Sequence, residues 1–201
     1  MKLESLQRLL QDIIKKHKRV IFNGDNYTAE WHAEAKKRGL LNLKNTPEAL
    51  EVMKEEKTQK LFEKHGVLSK KELLSRYEIY KHTYATIVQL EANCALTIAR
   101  TQIIPAVISY QNDVAQAIKS VAKAGKGNKT NAMKNLLKDI CQYTEDAINA
   151  ADQLEAQIAK HDSQKSLATM LKLREAADAL EGLVPADKWP LPSYAQMLFS
   201  A

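Results

Sequence analysis

Apolar residues recur at the spacing of one helix face along most of this chain, with polar residues between them. Residues 3–17 place six apolar side chains on one face, namely Leu3, Leu6, Leu9, Leu10, Ile13 and Ile14. Charged and amide side chains occupy the opposite face. The pattern predicts an amphipathic helix whose apolar face must pack against another part of a protein.

Three much longer helical patterns follow. The first starts at Lys70 and is interrupted at Pro105, which should kink it because proline lacks an amide donor and clashes with the preceding turn. The second covers about residues 130–160 and the third about 163–183. Short connections between long helices predict an all-α fold with an antiparallel bundle of three long helices, in which interior alanines allow close helix approach.

Turn and cap signals separate the first helix from this bundle. Thr28 is the expected N-cap of a helix over residues 29–38, and Gly39 is placed to end it in the left-handed conformation. Pro47 is expected at the first position of another short helix. These signals predict a region of several short helices.

Another helix end, also with a glycine, is predicted before the first long helix. A helix over about residues 57–64 should end at Gly66, and Ser69 with Glu72 has the spacing of a capping box. The organisation changes here, so we predict a short-helix junction region over 1–68 and a long-helix extension over 69–201. The Pro-rich tail from Val184 onward is too apolar to remain in solvent and is expected to pack back.

Composition and charge narrow the function classes. Only six Gly, five Pro and 6% aromatic residues favour an all-helical chain. Residues 1–82 hold 18 Lys and Arg against 12 Asp and Glu, whereas residues 83–201 hold 12 of each, so the net charge of +6 lies in the first part. A region with this excess of positive charge could bind nucleic acid. Interleaved acidic residues and the lack of an aromatic stacking platform favour a solvated surface instead.

Cysteine usage and the first residues point to the cytoplasm. Cys94 and Cys141 lie far apart within helical patterns, so we expect buried free thiols in a reducing compartment. The start of the chain is polar where a signal peptide would be apolar, and no apolar run has the length of a membrane span.

Candidate catalytic groups each have a simpler interpretation. Asp25 and Glu30 are explained by a turn and a helix terminus rather than by acid–base catalysis. The five histidines have no chelating spacing and are expected at the surface. Residues 125–130 look like a phosphate loop but lack its spacing and its preceding strand, so they are expected to join two helices. Glu91 is expected to be buried in an ion pair with Arg174 or Arg100.

Short motifs spread along the chain in a fixed order carry a clearer signal. They read VIFNGDNY at 20–27, KRGLLN at 37–42, TPEAL at 46–50, SRYEIY at 75–80, IPA at 104–106, WPLP at 189–192 and MLF at 197–199. Together they resemble the C-terminal part of type III glutamine synthetases. The resemblance suggests a structural set of family-signature residues, namely Asn23, Gly24, Tyr27, Trp31, Arg38, Gly39, Pro47, Arg76, Tyr77, Pro105, Trp189 and Pro190.

The resemblance implies a parent enzyme that joins ammonia to glutamate using ATP and Mg or Mn, through a γ-glutamyl phosphate. It also implies that the catalytic, metal-binding and nucleotide-binding residues lie upstream, in a β-grasp domain and a barrel-like catalytic domain, so none of them corresponds to a residue here. Residues 3–17 would be the last helix of that catalytic domain. The implied partners are the upstream domain and neighbouring subunits of a ring-shaped homo-oligomer.

Two interpretations compete within this resemblance. In the first, the chain is an excised C-terminal domain that is structural and inactive alone. In the second, it is a stand-alone helical interaction domain derived from the family. An exposed apolar face on residues 3–17 would indicate that a partner surface is missing.

Overall fold

The computed structural model describes residues 3–125 and 129–199. These residues form helices and no strand, which confirms the all-α prediction. The loop predicted at 124–128 falls largely on residues 126–128, which lie outside the described residues. The chain divides into two compact units between Lys81 and His82, and we call the described residues 3–81 the first unit and 82–199 the second unit. The predicted boundary at residue 69 concerns the parent enzyme and stays a prediction.

The first unit consists of short helices. They are α1 (Leu3–Lys16), a 3-10 turn (Lys18–Val20), α2 (Ala29–Lys37), α3 (Thr46–Glu51), a 3-10 turn (Val52–Lys54), α4 (Glu56–Lys64) and the beginning of α5 (Lys70–Ile98).

Helix ends in the first unit follow the predicted chemistry closely. Gly39 has φ 68° and Gly66 has φ 62°, which are left-handed values that glycine adopts without strain. After α2, the amides of Gly39 and Leu40 donate to the carbonyls of Lys36 and Ala35, which is the Schellman pattern. Ser69 and Glu72 form the predicted capping box, because the Ser69 amide donates to the Glu72 carboxylate at 2.8 Å and the Glu72 amide to the Ser69 hydroxyl at 3.3 Å.

Two cap predictions need correction. Thr28 occupies the N-cap position of α2 without capping it, because its hydroxyl donates to the Asp25 carbonyl at 2.9 Å and so closes the preceding turn. The short helix at 46 begins one residue earlier than predicted. Asn45 is its N-cap, accepting from the Glu48 amide at 2.9 Å, and Pro47 is its second residue.

The second unit contains the rest of α5, a π-helical segment (Ala99–Ile103), α6 (Ile104–Ala124), α7 (Asn131–Ala159), α8 (Ser163–Glu181) and α9 (Tyr194–Leu198). The π segment ends at Ile103, two residues before Pro105. A wider turn accommodates the missing amide and the bulky ring, so the predicted interruption at Pro105 has this local form.

Hydrogen bonds establish the antiparallel direction of α7. Gln89 donates to the Ile158 carbonyl at 3.3 Å, Arg100 to Asp152 and Glu155 at 2.8 and 2.7 Å, and Gln111 to Thr144 at 2.9 Å. The residue numbers rise along the first long helix while they fall along α7. Helix α7 packs against α8 on another side.

One apolar cluster fills the second unit. Its buried members are Ala92, Ala99, Ile103, Val107, Val114, Ile140, Ala147, Ala150, Ala151, Leu154, Leu173, Ala176, Leu180 and Val184. Many are alanines, as expected for closely spaced helices. As predicted, the tail packs back, through Trp189 and Leu191. Lys188 also pairs with Asp113 of α6. Its last part does not, because Tyr194, Leu198 and Phe199 stay exposed.

The expectation of buried thiols is wrong, because Cys94 and Cys141 are both exposed. The predicted pair of Glu91 is also wrong, since Glu91 is exposed. Arg100 binds Asp152 and Glu155, while Arg174 binds Asp178. Helix α5 carries apolar residues on several sides, so its sequence pattern did not identify which of them point inward; within the second unit, Val88 and Ala92 of α5 are buried.

Candidate functional site

Helix α1 exposes its entire apolar face. Its charged residues lie opposite the apolar stripe, yet none of its fourteen residues is buried. The fractional exposure of the six apolar side chains runs from 37% at Leu6 to 71% at Leu3. Contiguous apolar surface of this kind on a protein marks an interaction site.

The base of α1 is held by a cluster of side chains from α2. We call Phe22, Trp31, Glu34 and Arg38 the junction cluster. Residues 31, 34 and 38 lie on one side of α2 because they are three and seven positions apart. Phe22 comes from the segment after the 3-10 turn, and its ring stacks on Trp31 with the centroids 4.7 Å apart.

Arg38 makes most of the polar contacts in this cluster. Its Nη1 donates to the carbonyls of Lys18, Arg19 and Ile21 at 3.3, 3.2 and 2.7 Å, and its Nε donates to Glu34 at 2.6 Å. The guanidinium also lies 5.7 Å from the Trp31 ring centroid. The hydrogen bond from Arg38 lowers the pKa of Glu34, because it stabilises the ionised carboxylate.

Two glycines permit this arrangement, Gly24 by its lack of a side chain and Gly39 by its left-handed backbone. A Cβ at Gly24 would lie 2.7 Å from the Phe22 ring, so a larger residue would displace the ring from Trp31. Gly39 turns the chain after α2, and its carbonyl accepts a long hydrogen bond from Arg19 at 3.5 Å. Gly24, Trp31, Arg38 and Gly39 of the signature set therefore come together here.

Tyr77 belongs to a separate contact in the first unit. It is buried, and its hydroxyl donates to Glu51 at 2.7 Å while Lys54 lies 4.9 Å from its ring centroid. Hydrogen bonds from Lys54 and then Tyr77 lower the pKa of Glu51. This group ties α5 to the end of α3.

The remaining signature residues are dispersed. Tyr27 is 94% exposed, and Asn23, Arg76, Pro105 and Pro190 are exposed as well. Pro47 lies in α3, and Trp189 packs on the core of the second unit. The signature set is thus not one site, and its structural role stays a prediction.

The potential metal ligands among the described residues do not cluster. Within 3–125 and 129–199, no group of three His, Cys, Asp or Glu is placed to hold a metal ion, so the donor set for a divalent cation does not fit here. Asp25 accepts the Tyr27 amide at 2.9 Å in a turn, and Glu30 lies in the first turn of α2, as predicted. The five histidines are exposed, as predicted.

None of the helices in the described part of the chain has both the length and the apolar character needed to cross a bilayer.

The sequence interpretation included Arg38 in the signature set but did not predict its contacts. Arg38 and Arg19 donate to backbone carbonyls. The available signal was the spacing of Trp31, Glu34 and Arg38 on one side of a helix.

Comparisons with known proteins identify the family. The model of the glutamine synthetase C-terminal domain matches residues 5–122. The type-3 glutamine synthetase of Dictyostelium discoideum is 34% identical over 97% of this chain and 29% of its own length. Glutamine synthetases of Butyrivibrio fibrisolvens and Bacteroides fragilis are 32% and 27% identical over 98% of this chain, and over 30% and 29% of their own lengths.

This chain thus spans less than a third of the relatives it matches. The match of the family model covers more than half of the chain and includes the junction cluster and α5. The chain belongs to the glutamine synthetase C-terminal domain family.

Proposed function

We propose that this chain is the C-terminal helical domain of a type III glutamine synthetase and serves assembly rather than catalysis. In the parent, an upstream catalytic part would join ammonia to glutamate with ATP and Mg or Mn. The partners of this chain would be that upstream part and neighbouring subunits of a homo-oligomeric ring in the cytoplasm.

The exposed apolar face of α1 carries this proposal. Burying one Leu or Ile side chain completely stabilises a protein by about 1.5–3 kcal/mol, so six side chains together represent on the order of 10 kcal/mol. That is comparable with the rigid-body entropy lost on association, about 4–15 kcal/mol. The face would therefore act best within one chain, where its partner is already tethered. The share of the relatives' length that this chain leaves out provides room for such a partner.

Two experiments test the proposal. The reading frame upstream of the Met1 codon should continue into a catalytic domain, and an in-frame stop would refute the assignment as a fragment. A glutamate–ammonia ligase assay on the 201-residue chain with ATP and Mg should give no product, and turnover would refute the structural role.

The docking role of α1 has its own test with the upstream segment from that frame. Leu9→Ser with Ile13→Ser should abolish binding of this segment when it is supplied separately. Arg8→Ser with Gln11→Ser, on the charged face of the same helix, should leave binding unchanged. Equal binding by both double variants would contradict the proposal.

The same face supports a second candidate, a stand-alone interaction domain. An upstream stop codon together with binding of another protein through Leu9 and Ile13 would favour this candidate over the first.

A further inference from the structure

Helix α1 has no buried residue along its length, so its direction must be set at its base. Backbone hydrogen bonds continue α1 directly into the 3-10 turn, from the His17 amide to the Ile13 carbonyl and from the Val20 amide to the His17 carbonyl. The turn and the helix therefore move as one piece. Whatever fixes the turn against α2 also fixes α1.

The connections between this turn and α2 converge on Arg38. One guanidinium nitrogen donates to three carbonyls at the end of the turn, Lys18, Arg19 and Ile21. These carbonyls lie at the C-terminal, electronegative end of the helical segment, where a cation is favourable. Stacking of Phe22 on Trp31 and the long hydrogen bond from Arg19 to Gly39 are the other connections.

The guanidinium is itself oriented by its neighbours. Glu34 accepts from its Nε at 2.6 Å, and both residues are only partly exposed, at 24% for Arg38 and 32% for Glu34. The Trp31 ring limits movement on another side. A lysine could offer one ammonium to this place but not two separated donors in a fixed plane.

We propose that Arg38 is a positioning residue that sets the direction of α1 and so orients the apolar face for docking. The docking part of this inference rests on the proposed function, whereas the positioning part concerns this chain alone. A face held in one direction binds more tightly than one that samples many directions, because less conformational entropy is lost on binding.

Distance measurements between spin labels test the positioning part. The background chain has Cys94 and Cys141 replaced by Ser, and Gln11→Cys on α1 and Ala33→Cys on α2 carry the labels. We expect a single narrow distance distribution with Arg38 present and broad distributions for Arg38→Met and Arg38→Lys. Lys37→Met, which removes a neighbouring positive charge, is the matched control and should keep the narrow distribution.

Each outcome of the distance measurement supports or overturns the positioning role of Arg38. A narrow and unshifted distance distribution in Arg38→Met would overturn the proposal. A narrow distribution in Arg38→Lys would mean that a positive charge alone sets the direction of α1, and this result would also overturn the proposal. Amide exchange of α4, which supplies none of the hydrogen-bond partners of Arg38 described above, reports whether the first unit is still folded in each variant. If α4 loses its protection from exchange in Arg38→Met, the distance distribution of Arg38→Lys is the one that tests the positioning role.

The docking part is tested with the upstream segment described above. Arg38→Lys should weaken its binding by about tenfold, a loss consistent with reduced preorganisation, while Lys37→Met should stay near the unsubstituted chain. If no upstream segment exists, the proposed function fails and the label distances still decide the role of Arg38. If the segment binds equally well to Arg38→Lys, the positioning role fails and the proposed function stands.

Discussion

The two units of this chain are built from similar amphipathic sequence but bury very different amounts of it. In the second unit a continuous cluster joins the first long helix, α7, α8 and the tail. In the first unit the buried residues are Ala35, Gln59, Leu73 and Tyr77, while the apolar faces of α1 and of the segment around Leu41 stay exposed.

Polar contacts compensate for this difference only in part. The first unit is held by the capping box, the Arg38 contacts and the group around Tyr77, each of which fixes a helix end or a crossing. Such contacts define geometry well, but each contributes only about 0.5–1.5 kcal/mol net. The second unit therefore has a continuous apolar core, whereas the first unit leaves apolar faces uncovered.

The largest expected effect comes from one substitution made in each unit. Leu154→Ala removes a fully buried side chain and should lower the free energy of unfolding by about 2–5 kcal/mol. Leu10→Ala removes the same atoms from a side chain that is 48% exposed, and it should change the free energy of unfolding by less than about 0.5 kcal/mol. Urea unfolding followed by circular dichroism measures both. Equal losses would mean that α1 is buried in the isolated chain and would remove the contrast between the units.

A smaller effect is expected at the Tyr77 contact. Tyr77→Phe keeps the buried ring but removes the hydrogen bond to Glu51, which should lower the free energy of unfolding by about 1 kcal/mol. Tyr80→Phe, on an exposed side chain of the same helix, should have no measurable effect. Thermal unfolding compares the two, and a similar response would show that the hydroxyl of Tyr77 does not stabilise the first unit.

The sequence was a good guide wherever one residue type determines the local conformation. Gly39, Gly66 and the pair Ser69 and Glu72 do what their types favour, because left-handed backbone and capping depend on neighbouring residues alone. Errors arose where one side chain had two possible partners, as when the hydroxyl of Thr28 bound the Asp25 carbonyl instead of capping α2.

Burial was harder to predict because it depends on the third dimension. Within the second unit the buried residues of α5 are Val88 and Ala92, whereas Ile87 is exposed and Cys94, predicted to be buried, is exposed as well. The contacts of Arg38 join residues up to 20 positions apart, across a turn whose path was not predictable. The candidate site was therefore located by resemblance to its family, while its geometry came from the structure.

A difference between the units at helix ends gives a third prediction. In the first unit α2 and α4 end at left-handed glycines, whereas α7 ends at His161 with φ 54°. A residue with a Cβ is strained there by roughly 1 kcal/mol, although glycine also gains freedom in the unfolded chain. His161→Gly should thus raise the thermal midpoint slightly, and His161→Ala, which keeps the Cβ, should not. Equal midpoints for these two variants would show that the backbone is relaxed at this position.

The smallest effect is a difference in acid sensitivity between the units. Glu34, Glu51 and Glu72 of the first unit have a lowered pKa, through hydrogen bonds from Arg38, Lys54 and Ser69 respectively. A carboxyl whose pKa is lower in the folded state stabilises folding above its unfolded value, and this contribution is lost as the pH falls through the folded value. In the second unit the comparable group is Asp162, through its contacts with Lys165.

The first unit should therefore loosen before the second as the pH falls below the ordinary glutamate value of 4.5. Each unit contains one tryptophan, so the indole resonances of Trp31 and Trp189 report the two units separately in a pH titration. The Trp31 resonance should shift first, and Glu34→Gln should remove part of its pH dependence. Because Glu51 and Glu72 are exposed and Glu34 is partly exposed, high salt should reduce the difference. Simultaneous movement of both indoles would show that the two units unfold together, and the contrast in their packing would then have no counterpart in stability.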